Sequence, residues 1–214
     1  MRPATVLYED KMGKTPSGKF AFHEWVLRCV VDEGRDYQAL REIRANPRNG
    51  VDNVLSDITC ASLIAQGGRL FALVDRDRIV DHVNRRSDAQ LSRSDTHEVL
   101  ATKIRKLSDA PESVEVFFLE PNLEGVLRAL ERCDRDGDLS AEDLAAALNK
   151  GHLARNAVFE KSRAERLKGL RACVRKQQPL VRPEPPEAVR KRRARTRPGI
   201  DGLVRAIAAW VAQT

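Results

Sequence analysis

Aromatic residues make up only 5% of this 214-residue chain, and no apolar stretch is long enough to cross a bilayer. The N-terminus lacks the basic start and apolar run of a signal peptide, so a cytoplasmic protein without membrane contact is expected. The four cysteines, Cys29, Cys60, Cys133 and Cys173, include no Cys-x-x-Cys pair, which argues against a zinc ribbon. Their scatter suits a reducing compartment and predicts four small buried hydrophobes. The histidines, His23, His82, His97 and His152, show no paired ligand spacing. His23 lies near a polar loop, where a partly buried structural role is expected ahead of a catalytic one. No internal repeat of useful length is present.

What the chain does have is an ordinary globular balance, with 32% charged and 42% apolar residues. Its length suffices for one good core with a helical appendage. The formal charge of +7 is uneven, with much of the excess in the last third, culminating in Arg190-Lys191-Arg192-Arg193-Ala194-Arg195. A polyanion such as DNA or RNA is the natural partner for that run, and a solvated basic tail is the plain alternative.

Thr5 to Tyr8 reads as a short strand, and Phe20 to Val31 has apolar residues at helical spacing. Tyr37 to Ala45 has Leu40 and Ile43 at helical spacing, but it is short and ends in the turn cluster Asn46-Pro47-Arg48-Asn49-Gly50, so a second strand is preferred to a helix. Val51 to Ala65 reads as a helix ended by Gly67-Gly68. Leu70 to Val74 is a continuous apolar run, as in a strand buried on both faces. Asp95 to Leu107 is a capped helix, Val114 to Leu119 a strand, and Pro121 is placed at the first position of the next helix. This alternation predicts an open, mainly parallel α/β sheet flanked by helices. Beyond it come helices at Ala141 to Asn149 and at His152 to about Lys176, a Pro- and Arg-rich linker, and a closing apolar-faced helix from Ile200 to Ala212. The expected organisation is a core over 1–132, a helical extension over 133–181, and a basic arm with its C-terminal helix over 182–214.

In a parallel sheet, functional groups gather beyond the carboxyl ends of the strands. Three predicted strand ends carry carboxylates: Glu9 and Asp10 after the first, Asp75 and Asp77 after Leu73-Val74, and Glu120 after Leu119, with Glu124 one helical turn further on. Such carboxylates repel one another unless a cation neutralises them, and hard oxygen donors suit Mg²⁺ or Mn²⁺. The plain alternative is that Asp75 and Asp77 cap a following helix. Gly13-Lys14-Thr15 is not a phosphate-binding loop, because Tyr8 stands where the first Gly is required and Pro16 follows at once. A flexible loop carrying Lys11, Lys14 and Lys19 describes the segment better, a mobile flap able to touch phosphates. A phosphate-accepting receiver domain would want Lys at the end of the last core strand, where Glu120-Pro121 stands. The acidic run from Asp134 to Asp143 starts like a calcium loop, but Leu139 replaces the required Gly and Ala145 the closing Glu. A polar turn with Ser140 as helix N-cap is expected there instead.

Glu at the end of a first strand, with Asp-x-Asp at the end of a later one, resembles the signature of the TOPRIM fold of topoisomerases, bacterial primases and OLD-type nucleases. The matching residues are Glu9 and Asp75-Arg76-Asp77, and the resemblance covers roughly residues 5 to 130. Glu120-Pro121-Asn122-Leu123-Glu124 is similar to the later acidic segment of OLD-like members. Asp10 departs from the pattern, since the family usually has Gly after the first Glu. The chain has no Cys/His pairing for the zinc module of a primase. Its tyrosines, Tyr8 and Tyr37, lie within the first elements rather than on a second domain as in a topoisomerase.

The resemblance therefore implies a small OLD-like nuclease without an ATPase domain. Asp75 and Asp77 would hold Mg²⁺ or Mn²⁺ together with Glu120 or Glu124, and Glu9 would be a ligand or the general base. Lys11, Lys14, Lys19, Arg190, Lys191, Arg192, Arg193 and Arg195 would bind the nucleic-acid backbone. It further implies a stand-alone enzyme or the effector of a complex with a separate ATPase or sensor subunit, in a phage-defence setting, and leaves a homo-oligomer open. The alternative is a non-catalytic nucleic-acid-binding or scaffolding subunit with a TOPRIM-like fold.

Overall fold

The computed structural model describes residues 4–58, 68–86, 88, 90–92, 94–107, 114–149, 151–164, 167–177 and 199–213. Strands β1 (Ala4–Tyr8), β2 (Ile43–Pro47), β3 (Arg69–Asp75) and β4 (Val114–Leu119) form one sheet in the order β2-β1-β3-β4. Every neighbouring pair is parallel, with Tyr8 opposite Leu73 and Asp75 opposite Leu119. The architecture is thus an α/β sheet flanked by helices, as the alternating sequence pattern predicts. The chain leaves β1 toward β2 on one side and toward β3 on the other. That reversal opens a crevice at the carboxyl ends of β1 and β3, where such sheets place their ligands.

Alternation along the strands sorts the core into two layers. Val6, Tyr8, Phe71 and Leu73 face helix α1 (Ala21–Asp32), helix α5 (Leu123–Cys133) and the later helices. Leu7, Ala72, Val74, Val116 and Phe118 face α2 (Val51–Ile58), α3 (Arg76–Arg86) and α4 (His97–Leu107). A helix covering each face is what makes Leu70 to Val74 apolar throughout rather than alternating. The remaining helices are α6 (Ala141–Leu148), α7 (His152–Ser162), α8 (Lys168–Gln177) and α9 (Gly199–Ala212). They pack on the α1 side, where Phe159 of α7 meets Phe22 and Trp25 at centroid distances of 4.6 and 5.9 Å. Leu203 and Ile207 of α9 belong to the same apolar cluster as Val6 and Trp25.

Several local expectations change. Within Tyr37–Ala45, Gln38–Leu40 is a single 3-10 turn and the strand begins only at Ile43. Pro121 does not begin α5. Asn122 is the N-cap, accepting the amide of Gly125 at 3.2 Å, and the helix starts at Leu123. A capping side-chain oxygen satisfies a free helix amide, which proline at the first position cannot do. The single helix expected over His152 to Lys176 is two. Arg171 draws α7 and α8 together at the break, donating to the carbonyls of Ser162 and Ala164 and to both carboxylate oxygens of Asp32. The predicted end of α2 at Ala65 to Gly68 falls mostly outside the described residues, as do Cys60 and the basic run Arg190 to Arg195.

The cysteine expectation is also corrected. Cys133 and Cys173 form a disulfide with their Cα atoms 5.9 Å apart. Forty positions separate them in sequence, and the packing of α8 against α5 brings them together. Cys29 is buried and unpaired, as expected. The Asp134–Asp143 segment is the predicted polar turn. Asp134 accepts the amides of Asp138 and Leu139, and Ser140 caps α6 through the Asp143 amide.

Candidate functional site

Glu9 follows β1 directly, and its amide still donates to Leu73 O at 3.2 Å. Held in the sheet, its side chain reaches across to β3, where Oε2 accepts the amide of Asp75 at 2.8 Å. The residue is 5% exposed, and Oε1 is buried with no hydrogen-bond partner among the described residues. Arg78 Nη1 lies 3.7 Å from it, an ion-pair distance too long for a hydrogen bond. Burial raises the pKa of Glu9 above the usual carboxylate value, against the lowering effects of the Asp75 amide and Arg78.

Asp75 ends β3 and is 7% exposed. Its Oδ1 accepts the amide of Leu123 at 3.1 Å. Burial first, and then the charges of Glu9, Asp77 and Asp10, push its pKa up to about 8. Asp77 stands on the first turn of α3. Its Oδ2 accepts from Asn122 Nδ2 at 3.0 Å, its Oδ1 from the amide of Arg78 at 2.8 Å, and its own amide donates to Pro121 O at 3.2 Å. A cleft of about 490 Å³ opens beside Glu9 and Asp77. Its walls are Gly50 to Asp52 at the start of α2, and Arg78, Asp81, His82 and Arg85 along α3. His82 Nε2 lies 2.8 Å from Asp52 Oδ1, linking the two walls.

The fold therefore sets Glu9, Asp75 and Asp77 near enough for their charges to act on one another. It turns the other two sequence candidates toward cations. Glu120 pairs with Arg76 and His97. Burial would raise its pKa, but the hydrogen bonds from His97 and Arg76 outweigh burial and hold it below the usual value. Glu124 accepts from Arg155 Nη2 at 3.0 Å, and the other arm of that guanidinium holds Asp10. Asp10, the departure from the TOPRIM pattern, thus has a dedicated counter-charge from α7.

Lys11, Lys14 and Lys19 are exposed, but the loop that carries them is pinned rather than a loose flap. Asn156 of α7 donates to Gly13 O at 2.6 Å, Thr15 N to Lys19 O at 2.6 Å, and Lys14 bridges Phe20. Lys19 Nζ lies 3.7 Å from Glu24 and 5.9 Å from the Tyr37 ring centroid. His23 is wholly structural: Nδ1 pairs with Tyr8 Oη at 2.8 Å and Nε2 with Ile43 O at 3.1 Å. Burial lowers its pKa to about 4. Sequence reasoning missed Arg78, Asn122 and Arg155. Asn122 carried a readable signal, an Asn just before an amphipathic helix. Arg155 carried none, lying 145 positions from the Asp10 it neutralises.

No family model matches the chain, and no curated protein or solved structure is significantly similar to it.

Among the described residues, no group of three or more His, Cys, Asp and Glu side chains is already gathered to hold a metal ion. The donor chemistry nonetheless suits a hard divalent cation. Glu9 Oε1 is a buried carboxylate oxygen without a hydrogen bond. Asp75 is a carboxyl group whose pKa is pushed up to about 8 by burial first and then by its acidic neighbours. A cation relieves both conditions.

Proposed function

We propose that this chain is a metal-dependent nuclease of the small, ATPase-less OLD-like TOPRIM type, hydrolysing phosphodiester bonds of DNA or RNA. The observation that carries the reading is the junction of Glu9 with Asp75 across β1 and β3, where Glu9 Oε2 accepts the Asp75 amide and Oε1 is left without a hydrogen bond. Asp75, Asp77 and Glu9 are the residues that would hold Mg²⁺ or Mn²⁺. A cation held there supplies Lewis-acid polarisation of a phosphoryl oxygen and neutralises developing charge.

The chain's own groups do the rest. Glu9 would either ligate the cation or, with its raised pKa, take a proton from the attacking water, because a base is most effective when its pKa approaches the working pH. Arg78 is exposed on the cleft wall and offers a guanidinium to a phosphate oxygen. Lys11, Lys14 and Lys19 add sequence-independent contacts to the backbone, as does the basic arm. Glu120 and Glu124, held by Arg76, His97 and Arg155, shape the surroundings of the site.

A non-catalytic nucleic-acid-binding or scaffolding role is the second reading. One observation favours it, the lack of a ready metal-binding group among the described residues. Incubation with plasmid DNA or total RNA in Mn²⁺ separates the two. The nuclease reading expects cleavage by the wild-type chain and none by Asp75→Asn or Glu9→Gln. Cleavage that survives both substitutions removes the site assignment, and binding without cleavage supports the second reading.

A further inference from the structure

The segment Glu120-Pro121-Asn122-Leu123-Glu124-Gly125 grips both aspartates of β3 and α3. Pro121 O accepts the amide of Asp77, and the amide of Leu123 donates to Asp75 Oδ1. Asn122 holds the side chain of Asp77. Its carbonyl oxygen is committed to the Gly125 amide at 3.2 Å, and this commitment turns its NH₂ group toward Asp77 Oδ2, 3.0 Å away. Gly125 makes the arrangement possible, since a Cβ there would stand 2.3 Å from Glu120 O, closer than any real contact. Both ends of the Asn122 amide are therefore assigned, one to the fold and one to the site.

We infer that Asn122 is a positioning residue for Asp77, orienting its carboxylate for the cation while capping α5. The inference rests on the nuclease reading for its cation but has its own test. Aspartate caps helices as well as asparagine does, yet it would set an oxygen against Asp77 where an N–H now donates. Serine also caps but carries no NH₂ group. Groups that orient a ligating carboxylate typically change metal affinity or activity by about 10–100-fold.

Free Mn²⁺ is titrated by electron paramagnetic resonance into wild-type, N122D, N122S and N122A chains, with thermal unfolding of each metal-free chain and the nuclease assay alongside. We expect Mn²⁺ affinity to fall about 10–100-fold in N122D and about 10-fold in N122S, with N122S unfolding close to wild-type. A purely capping residue would not give the affinity loss in N122D or N122S, since both side chains still cap. Wild-type affinity and cleavage in folded N122D overturn the inference and leave the nuclease reading standing. Weakened Mn²⁺ binding in N122D, with no cleavage of DNA or RNA by wild-type, supports the inference and removes the nuclease reading. Failure of the wild-type chain to bind Mn²⁺ overturns both.

Discussion

Raising the pH should destabilise the metal-free chain through Asp75, and Asp75→Asn should abolish that loss. In the folded chain this carboxyl keeps its proton up to about pH 8, whereas its reference value is 3.8. Between those limits the folded state binds the extra proton, so the free energy of unfolding falls as pH rises. The stabilisation is complete below about pH 4 and is lost as pH climbs through about 8. A single proton gives a slope of at most about 1.4 kcal/mol per pH unit, or about 3 kcal/mol between pH 5 and 7. Asn retains an oxygen for the Leu123 amide but cannot ionise. Urea unfolding of both chains at about pH 5, 6, 7 and 8, without divalent cations, reads the difference. Glu9 titrates in the same sense and His23 in the opposite one, but both are common to the two chains and largely cancel. Parallel stability profiles for wild-type and D75N would refute the argument that burial and acidic neighbours hold the Asp75 proton.

Replacing Arg155 by methionine should strand Asp10 and Glu124. Loss of one partner from a buried pair costs about 3–5 kcal/mol. Their side chains remain 29% and 20% exposed, so about 2–3 kcal/mol is expected, or a Tm drop of about 4–12 °C by differential scanning fluorimetry. Adding D10N and E124Q to R155M should recover most of it; no recovery would mean that packing, rather than charge, holds α7 against α1. His23 should stay neutral by NMR titration down to about pH 4. Because its folded pKa lies below the reference value of 6.5, its contribution to stability is present above that pH and is lost as pH falls toward 4. Protonation of the imidazole near pH 6.5 in the folded chain would contradict its burial between Tyr8 and Ile43.

Strands β1, β3 and β4 are the most legible part of the sequence, whereas β2 overlaps its expected stretch only at Ile43 to Ala45. Val114 to Leu119 was placed with its observed bounds, and Leu70 to Val74 within one residue at either end, because runs buried on both faces leave few alternatives. Glu9, Asp75 and Asp77 could be named because strand-end position along the chain also fixes position across a parallel sheet. Position does not specify a side chain's partner. Glu120 sits at a strand end like the others, yet Arg76 and His97 hold it, and only the fold gathers those three. The Cys133–Cys173 bond and the Asp10–Arg155 pair were illegible for the same reason, since both join elements far apart in sequence. The break between α7 and α8 depends on a distant carboxylate, Asp32, that secures Arg171. Helical periodicity on either side carries no trace of it.

The pairing of Asp10 with Arg155 bears on how the protein can be dissected. A fragment ending after α5 would contain all four strands and every acidic residue of the site, and on paper it is the minimal unit. It would also leave Asp10 without its guanidinium, one residue along the backbone from Glu9 and close enough to act on Asp75. It would uncover Phe22 and Trp25 where Phe159 now lies. Such a fragment would be more negative at its working edge and stickier on its far side than the parent. An inactive truncation would therefore report on the missing α7 rather than on the chemistry of the residues it kept.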